Sequence, residues 1–459
     1  MLDLHSHTEG VAWPSFPNTF AMPVYAILFQ LDHSQWFSAE ELVEMQFRQL
    51  RALLAHAVET VPYYQQRMAD WDETAIESLD PERWRGLPIL TREDIQEAGE
   101  SLRSEKIPSS HGKTGEIFTV GATGKPVRVV RSQLWSYYRA AVTMRDHIWQ
   151  QRDLTGKLAA IREMNRGKHL YPDGTVARGW SQITREIFNN GPGVAININT
   201  PVPMIARWLQ RQEPDYILSY PSIVGRVAAY CRDNHILLPS LQQVETYSEP
   251  MTDDVRAACR DAWGVPVVDI YSSREAGYLA LQCPVQPHYH VQSECVYLEV
   301  LDEEGRPCGP GEVGRVVATS LHNLAMPLIR YEIGDYAEVG GPCACGRGLP
   351  VLKRIIGRRQ NRMLMPNGET RWPLLTSESI AALLEVAPIQ QYQFAQISHD
   401  EIEARLVIER PLEWPEIERL KDWVAEWLYR PFELSVTYHQ ALPRTESGAF
   451  DDFVCEVEV

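Results

Sequence analysis

The chain of 459 residues lacks any uninterrupted apolar run approaching the roughly 20 residues that cross a bilayer. It also has little positive charge, because 44 Lys and Arg residues stand against 61 Asp and Glu, for a net charge of −17. A nucleic-acid-binding protein carries a basic stripe, so this balance argues against a nucleic-acid partner. We find no internal repeat and no low-complexity tract, which argues against a solenoid. These absences favour a soluble protein that acts on small molecules.

The N-terminal residues lack the basic region and apolar core of a secretory signal, and we therefore expect a cytoplasmic protein. Five of the eight cysteines fall between residues 283 and 345, and two of these are separated by a single residue. In a large chain without an export signal, such clustering favours metal binding over a disulfide framework.

The sequence contains enough apolar residues, 44% of the total, for a large core, and its length suggests two to four domains. Residues 1 to about 35 show no clear period and are expected to be irregular. Residues 38–68 predict a helix that begins with a capping box at Ser38 and Glu41 and breaks at Pro62. Beyond residue 150, short apolar strands alternate with amphipathic helices, which predicts an α/β core. The strands are expected at 157–161, 216–220 and 265–271, and the helices near 133–149, 202–212, 222–234 and 252–263.

The pattern changes after residue 290, where β segments are joined by Gly, Pro and Asp turns. A polar stretch at 357–371 then reads as a linker to a small C-terminal α+β region.

Soft ligands lie in two short segments of the chain. Cysteine thiolates and histidine imidazoles are the donors that tetrahedral Zn²⁺ prefers, and Gly-Pro-Cys-Ala-Cys-Gly-Arg presents two thiolates from one turn. Four protein ligands leave no open position, so the site is expected to be structural. The predicted ligands are Cys283, His290, Cys343 and Cys345, with His288 as the alternative imidazole.

A glycine-rich loop lies in TVGATGKPVRVV, residues 119–130, between two β segments. Glycines allow backbone N–H groups to face a phosphate, and Lys125 adds a mobile positive charge. Pro126 follows the lysine, so the loop is not a Walker A motif. A phosphate-binding loop and an ordinary Gly-Lys hairpin both remain open on this evidence.

Two further segments have the chemistry of a nucleotide site. YSSREAG, residues 271–277, follows a strand, and the end of a strand is where α/β sheets place ligands. There Tyr271 could stack on a base and Glu275 could hold Mg²⁺, or the segment could be a plain surface turn. In PLIRYEIGD, Asp335 could accept hydrogen bonds from a ribose diol or could pair with Arg330.

In this order and spacing, the three segments resemble the adenylate-forming superfamily, and most closely its phenylacetate–coenzyme A ligase branch. The likeness runs from about residue 38 to the end. Besides the three segments it includes VPYYQQ, LPILTRED, YSEP, TSLHNLAMPLIRYEIGD, PCACGR and IIGRR.

The resemblance implies an α/β fold with a large N-terminal adenylate-forming domain, which contains parallel-sheet subdomains and a β-rich subdomain, and a small mobile C-terminal α+β domain. The corresponding boundaries are 1–356 for the large domain, 357–361 for the hinge and 362–459 for the small domain.

The resemblance also implies an AMP-forming acid–thiol ligase. ATP would activate an aryl or arylacetic acid as an acyl adenylate, and the acyl group would pass to a thiol such as coenzyme A. Implied cofactors are ATP, Mg²⁺, structural Zn²⁺ and coenzyme A, and a homodimer is one expected assembly. The alternative is a ligase that forms an amide or ester with an amine or hydroxyl acceptor.

Roles for individual residues follow from the same resemblance. The phosphates would be bordered by Thr119, Gly121, Thr123, Gly124 and Lys125. The adenine would be flanked by Ser248, Glu249 and Pro250 and stacked on Tyr271. Glu275 would hold Mg²⁺, Asp335 would bind the ribose and Arg358 would lie at the hinge. The acyl pocket would be lined by Trp180, Arg185, Phe188 and Tyr220.

Two departures from the family pattern concern charge, and Val120 and Ala122 also replace residues whose hydroxyls could bind phosphate oxygens. Arg274 stands where relatives have Thr before the magnesium ligand. Ala449 stands in LPRTESGAF where relatives have the lysine that bridges carboxylate and phosphate oxygens. Losing that ammonium removes a contact made mainly in the adenylation step. Three readings follow: slow adenylation that uses Lys125 and Arg274, specialisation in the second half-reaction, or a catalytically weak nucleotide-binding protein.

Overall fold

The structure is a computed structural model that describes residues 4–120, 126–162, 169–198, 200–358, 363–365, 370–371, 373, 377–428, 430–442 and 451–457. Its helices are α1 (Ala21–Ser34), α2 (Ala39–Thr60), α3 (Pro62–Arg67), α4 (Glu73–Glu77), α5 (Pro81–Arg85), α6 (Arg92–Ala98), α7 (Gln133–Trp149), α8 (Gln182–Ile187), α9 (Val202–Gln212), α10 (Pro221–Asp233), α11 (Asp253–Trp263), α12 (Ser377–Val386) and α13 (Trp414–Trp427). Within the described residues, no helix combines the length and the apolar character that a bilayer span requires.

The strands build one large sheet and three smaller ones. They are β1 (Thr114–Val120), β2 (Pro126–Ser132), β3 (Leu158–Arg162), β4 (Thr175–Ala177), β5 (Gly193–Asn197), β6 (Tyr216–Ser219), β7 (Gln243–Tyr247), β8 (Val267–Ser273), β9 (Gly277–Gln282), β10 (Tyr289–Val291), β11 (Val296–Leu301), β12 (Val313–Ser320), β13 (Tyr331–Val339), β14 (Val351–Arg358), β15 (Met363–Leu364), β16 (Thr370–Arg371), β17 (Ile389–Gln396), β18 (Glu401–Ile408), β19 (Glu433–Tyr438) and β20 (Phe453–Cys455).

The large sheet has the order β11-β12-β13-β14-β10-β9-β8-β7-β6-β3-β5-β4. Strands β5, β3, β6, β7 and β8 are parallel, and the strands from β8 through β9 to β11 pair antiparallel. The parallel half is what the alternating strand and helix pattern predicts, and the antiparallel half matches the β segments expected after residue 290.

Helices cover both faces of the parallel half. Helices α9 and α10 pack on one face around Trp208 and Val224, and α7 packs on the other through Met144. The sequence predicts these helices within one residue because their apolar positions recur at helical spacing.

The N-terminal segment differs from its expectation, because α1 occupies part of the region predicted to be irregular. Its buried side chains, Ala21, Val24, Ile27 and Leu31, pack with those of α7. Helix α1 is short and contains no strong period, so tertiary packing rather than sequence pattern stabilises it. Helix α2 begins as expected, with both hydrogen bonds of the Ser38 and Glu41 capping box formed.

The C-terminal residues form a separate sheet, β19-β18-β17-β20, with α12 and α13. This sheet has its own apolar core, which includes Phe394, Leu420 and Trp427. The α+β character expected for this region is therefore present. Strand β14 continues to Arg358, the second residue of the predicted hinge.

Candidate active site

Several residues predicted to bind the nucleotide or the acyl group lie at the carboxyl ends of parallel strands. Tyr220 directly follows β6, Ser248 and Glu249 directly follow β7, and Tyr271 lies in the last half of β8. Neighbouring parallel strands end at the same edge of a sheet, which is where α/β folds bind ligands. The strand pairing therefore brings these separate segments to one edge.

Tyr271 and Asp335, predicted to contact adenine and ribose, are hydrogen-bonded to each other. The Tyr271 hydroxyl donates to Oδ2 of Asp335 at 2.9 Å, joining β8 to β13. Burial, together with the adjacent Asp335 carboxylate, raises the pKa of Tyr271 well above its usual value. The phenol thus stays protonated and holds the carboxylate in one orientation.

The alternative pairing of Asp335 with Arg330 is not formed. The Arg330 guanidinium, 2% exposed, donates to both carboxylate oxygens of Glu299, at 3.0 and 2.9 Å. It also donates to the backbone oxygens of Arg85 and Leu87. Arg330 is thus a buried structural cation, and Asp335 is directed to Tyr271 instead.

Asp335 also lies opposite the predicted hinge residue. In the antiparallel pairing of β13 with β14, Asp335 is the partner of Arg358. The backbone thus brings the predicted ribose ligand and the start of the hinge to the same position along the sheet.

Glu249 is held at the N-terminus of α10. Its carboxylate accepts from the Ser222 backbone N–H at 2.8 Å and from the Ser222 hydroxyl at 3.0 Å. A carboxylate at this end of a helix is favoured by the helix dipole and satisfies N–H groups that have no partner within the helix. The preceding Ser248 adopts a positive φ of 70°, which turns the chain sharply after β7.

Glu275 lies in the short loop, residues 274–276, that joins β8 to β9. Ser273 pairs with Gly277 across the hairpin, and the Ser273 hydroxyl accepts from the Ala276 N–H at 2.9 Å. Gly277 has a φ of 86°, and a Cβ at this position would lie 2.9 Å from the Trp135 ring, so only glycine fits. The Glu275 carboxylate, 10% exposed, lies 3.4 Å from the Arg92 guanidinium.

The predicted phosphate loop falls largely outside the described residues. Strands β1 and β2 form a hairpin in which Val120 pairs with Pro126, so the loop connects the two strands as its sequence predicts. Gly121, Thr123, Gly124 and Lys125 lie outside the described residues, as do the side chains of Thr119 and Arg358 and the whole of Ala449.

Two of the four residues predicted to line the acyl pocket, Trp180 and Tyr220, contact different aromatic rings. Trp180 donates from Nε1 to the Gly156 carbonyl at 2.8 Å, and its ring lies 4.8 Å from that of Tyr216, the first residue of β6. Tyr220 follows the last residue of β6, so the two side chains lie at opposite ends of this strand.

The other two predicted pocket residues differ in burial. Phe188 is buried in the core between α1 and α7, and Arg185 is exposed on α8. Trp180 and Tyr247 pack against the same apolar cluster that contains Phe188, and the four residues stay a prediction for the acyl pocket. Beside Tyr220 lies Tyr247, with ring centroids 5.0 Å apart.

The predicted zinc ligands converge from three segments of the chain. The sulfurs of Cys283 and Cys343 are 3.8 Å apart, and Sγ of Cys345 lies 3.3 Å from Nε2 of His290. Ligand atoms of Cys283, His288, His290 and Cys343 all lie within 4.8 Å of one another. This donor set and spacing fit one tetrahedral ion, with Cys345 and His288 both within reach of the cluster.

His290 has the protonation state that a metal ligand requires. Burial lowers its pKa to about 4, so the imidazole is neutral at physiological pH. Its Nδ1 lies 3.4 Å from the Leu349 carbonyl. Donation from Nδ1 leaves the Nε2 lone pair directed to the cysteines, the arrangement common around metal-bound histidines.

Two groups of polar residues were not anticipated from the sequence. Arg152 contacts Asp146 and Glu245 in a buried network between α7 and β7. No role was predicted for Arg92, although its guanidinium contacts the predicted magnesium ligand Glu275. Neither contact has a local sequence signal, because the partners are separated by up to 183 residues.

No protein-family model matches the chain. The phenylacetate–coenzyme A ligase of Thermus thermophilus is 26% identical over 402 residues, which cover 81% of this chain and 82% of that protein. The phenylacetate–coenzyme A ligase of Escherichia coli K12 is 23% identical over 402 residues, covering 81% and 83%.

A solved structure extends the similarity to nearly the whole fold. The structure of 2-hydroxyisobutyryl-CoA ligase in the postadenylation state, in complex with R3-HIB-AMP, aligns with a TM-score of 0.67 and 17% identity and covers 92% of this chain and 91% of that one. The chain is therefore homologous to AMP-forming acid–thiol ligases. The resemblance to the phenylacetate–coenzyme A ligase branch and the predicted fold class are both confirmed.

Proposed function

We propose that this chain, a homologue of the phenylacetate–coenzyme A ligases, uses ATP to convert a carboxylic acid into its acyl adenylate and passes the acyl group to coenzyme A. The observation that carries the proposal is the hydrogen bond from Tyr271 to Asp335 at the ligand-binding edge of the sheet. It fixes an aromatic ring and a carboxylate side by side, as an adenosine requires. The relatives named above support the thiol acceptor.

In this proposal the adenosine binds between three segments. Tyr271 stacks on the adenine, whose edge is flanked by Ser248, Glu249 and Pro250. Asp335 accepts hydrogen bonds from the ribose hydroxyls with the carboxylate oxygen that Tyr271 does not engage. A charged acceptor makes stronger hydrogen bonds to hydroxyls than a neutral one does, so Asp335 contributes much of the affinity.

Adenylation joins an oxygen of the substrate carboxylate to the α-phosphorus of ATP and expels pyrophosphate. We assign the phosphate contacts to the loop between β1 and β2, with Thr119, Gly121, Thr123, Gly124 and Lys125. Glu275 is the proposed Mg²⁺ ligand, and a bound Mg²⁺ would offset negative charge on the phosphates. The long 3.4 Å contact between Glu275 and Arg92 is one that the carboxylate can exchange for a metal.

The second half-reaction is assigned to a rotation of the small domain. We place the hinge at 357–361, between a large domain of residues 1–356 and a small domain of residues 362–459, with Arg358 as the residue that changes environment. The separate core of the C-terminal residues supports this division. Coenzyme A would then reach the acyl adenylate from the side that the rotation opens.

A second candidate function rests on Ala449. Without the usual lysine, the chain could have specialised in the second half-reaction, with an amine or hydroxyl acceptor in place of coenzyme A. The product would then be an amide or an ester. The position of this alanine in LPRTESGAF is the observation that favours this candidate.

We also propose that one structural Zn²⁺ is held by Cys283, His290, Cys343 and Cys345, with His288 as the alternative imidazole. The distances and the neutral His290 support the assignment. The proposed cytoplasmic location and a homodimer remain predictions from the sequence.

The substrate we propose is an aryl or arylacetic acid. The paired rings of Tyr220 and Tyr247 at the carboxyl end of β6 support an aromatic acyl group. The similarity to two phenylacetate–coenzyme A ligases supports the same substrate class.

The decisive experiment measures pyrophosphate release from ATP by the full-length protein with a panel of aryl, arylacetic and aliphatic acids. With an acid that gives turnover, addition of coenzyme A should yield the acyl thioester by mass spectrometry. Asp335→Ala should abolish both signals, whereas Asp302→Ala, in an exposed turn, should leave them unchanged. If none of the acids causes pyrophosphate release, adenylation is contradicted. An amide or ester in place of the thioester would support the second candidate.

A further inference from the structure

Four arginines approach the loop at residues 274–276 from different elements. Arg274 belongs to the loop, Arg92 begins α6, Arg131 lies near the end of β2, and Arg139 lies on α7. We call these four residues the arginine cluster. Their convergence is notable in a chain whose net charge is −17.

Arg92 reaches the loop through its contact with Glu275. The Arg92 guanidinium lies 3.4 Å from Oε1 of Glu275, and the two side chains are 18% and 10% exposed. A partly buried arginine beside a proposed magnesium ligand is well placed to contact the oxygens that the metal would share.

Arg131 and Arg139 reach the loop through aromatic rings. The Arg131 guanidinium carbon lies 4.4 Å from the centre of the Trp135 ring, and that ring packs against Gly277, the residue that ends the loop. The Arg139 guanidinium carbon lies 5.8 Å from the centre of the Tyr278 ring. Cation–π contacts hold both guanidinium groups beside the loop without neutralising their charge.

Carboxylates offset only part of the charge in the cluster, since Glu275 contacts Arg92 and also acts on Arg131. Within the described part of the chain, Arg131, Arg139 and Arg274 form no ion pair with a carboxylate. Burial and the positive charges of Arg139 and Arg274 lower the pKa of Arg131 to about 10, against the opposing effect of the Glu275 carboxylate. Repulsion between like charges that lie close together costs free energy, and a bound anion relieves it.

We propose that the arginine cluster binds the triphosphate of ATP and the departing pyrophosphate, and supplies the positive charge that Ala449 does not. The inference rests on the proposed function. In the adenylation step the bond from the carboxylate oxygen to the α-phosphorus forms, and the bond from that phosphorus to the bridging oxygen breaks. The electron pair leaves with pyrophosphate, and guanidinium groups at the loop stabilise this growing charge.

The test is the affinity of the full-length protein for inorganic pyrophosphate, for MgATP and for AMP, measured by isothermal titration calorimetry. We expect Arg274→Ala and Arg139→Ala each to weaken pyrophosphate and MgATP binding about tenfold, the loss typical of one charge-assisted contact, and to change AMP binding less. Arg274→Lys should recover most of the affinity because it keeps the charge. Arg260→Ala, on the exposed side of α11, is the matched control and should bind all three ligands as the unmodified chain does.

Pyrophosphate affinity that is unchanged in both Arg274→Ala and Arg139→Ala would overturn the proposal, since both side chains are exposed and their loss should not unfold the protein. The readout requires no turnover. An arginine-dependent pyrophosphate site in a protein that adenylates no acid would support the cluster and refute the proposed function. Adenylation by a protein whose pyrophosphate affinity does not depend on these arginines would support the proposed function and refute the role of the cluster.

Discussion

Single side chains in this protein are assigned to structure or to ligand binding by what they touch. Arg330 and Asp335 lie five positions apart in one motif, yet one is buried against Glu299 and the other faces Tyr271 at the edge of the sheet. The sequence alone does not show whether these two charged residues pair with each other or have separate roles. Only their partners separate a buried ion pair from a candidate ribose ligand.

Breaking the Arg330 ion pair should destabilise the fold. In Glu299→Gln the guanidinium of Arg330, which is 2% exposed, keeps its carbonyl partners but loses the carboxylate that balances its charge. We expect the free energy of unfolding to fall by about 3–5 kcal/mol, as for other broken buried pairs. Denaturant unfolding measures this, with Glu116→Gln as the control, because the Glu116 pair with Arg128 is on the surface. Equal stability of the two variants would show that the buried pair stabilises the fold no more than the surface pair does.

The hydrogen bond between Tyr271 and Asp335 should orient the ribose ligand. Tyr271→Phe keeps the ring for stacking but frees the carboxylate to rotate, so AMP affinity should fall several-fold, by about 1 kcal/mol. Calorimetry with AMP measures the effect. Tyr289→Phe, which removes a similar hydrogen bond to Asp269, is the control and should leave AMP affinity unchanged. A larger loss in the control would place the nucleotide elsewhere.

The buried network around Glu245 predicts a pH dependence of stability. Burial raises the pKa of Glu245, against the opposing effect of Arg152, and burial raises the pKa of Asp269 to about 6. Between about pH 4, where these carboxyls titrate in the unfolded chain, and their raised pKa values in the native state, the native state binds more protons. The free energy of unfolding therefore falls as the pH rises through this window.

The variant Glu245→Gln tests this sign. Its free energy of unfolding should change less between pH 5 and pH 8 than that of the unmodified chain, by about 1–2 kcal/mol. Denaturant unfolding at several pH values gives the comparison. Parallel pH profiles for the two proteins would mean that Glu245 is ionised throughout.

At the scale of elements, the loop that contains Cys343 and Cys345 also contacts the N-terminal helices. We call it the candidate zinc loop. Its Gly348 N–H donates to the Gln35 carbonyl at 3.0 Å, and the Arg347 guanidinium lies over the rings of Trp36 and Trp149. The loop thereby attaches the junction between α1 and α2 to the antiparallel half of the large sheet. A metal that fixes this loop would also fix the N-terminal helices.

Removal of the metal should therefore loosen the N-terminal helices. Cys343→Ser should lower bound zinc from one equivalent to none by elemental analysis, and should raise hydrogen exchange at residues 31–38. Cys308→Ser, a cysteine outside the cluster, should keep full zinc and native exchange. Full zinc in Cys343→Ser would remove this residue from the ligand set.

Elements were the part of the fold that local sequence predicted best. Helices α7 and α9 match their predicted ranges because each has its own apolar period. Helix α1 was missed, since what stabilises it is α7, more than a hundred residues away. The contact between the rings of Trp180 and Tyr216 was missed for the same reason, since no local pattern indicates it.

For the molecule as a whole, the remaining question is how adenylation proceeds without the usual lysine. If the arginine cluster carries only part of that charge, Ala449→Lys should raise the rate of pyrophosphate release about tenfold or more, the value of one charge-assisted contact in the transition state. The rate of thioester formation from a supplied acyl adenylate should not change.

Single-turnover kinetics of each half-reaction measures both rates. The control is Ala449→Gln, because glutamine has a length similar to that of lysine but no charge. An equal gain with glutamine would show that charge is not what is missing.

The sequence by itself determined the kind of protein: its motifs, in their order and spacing, indicated an adenylate-forming ligase, an α/β core and a zinc-type ligand set. These features are encoded in contiguous residues, where periodicity and motif chemistry act locally. Only the tertiary structure decided which charged groups meet. It paired Arg330 with Glu299, joined Tyr271 to Asp335 and gathered arginines from α6, β2, α7 and the β8–β9 loop around Glu275. Such pairings depend on how strands and helices far apart in the chain pack, because the free energy of a charge is set by its three-dimensional surroundings rather than by its neighbours in sequence.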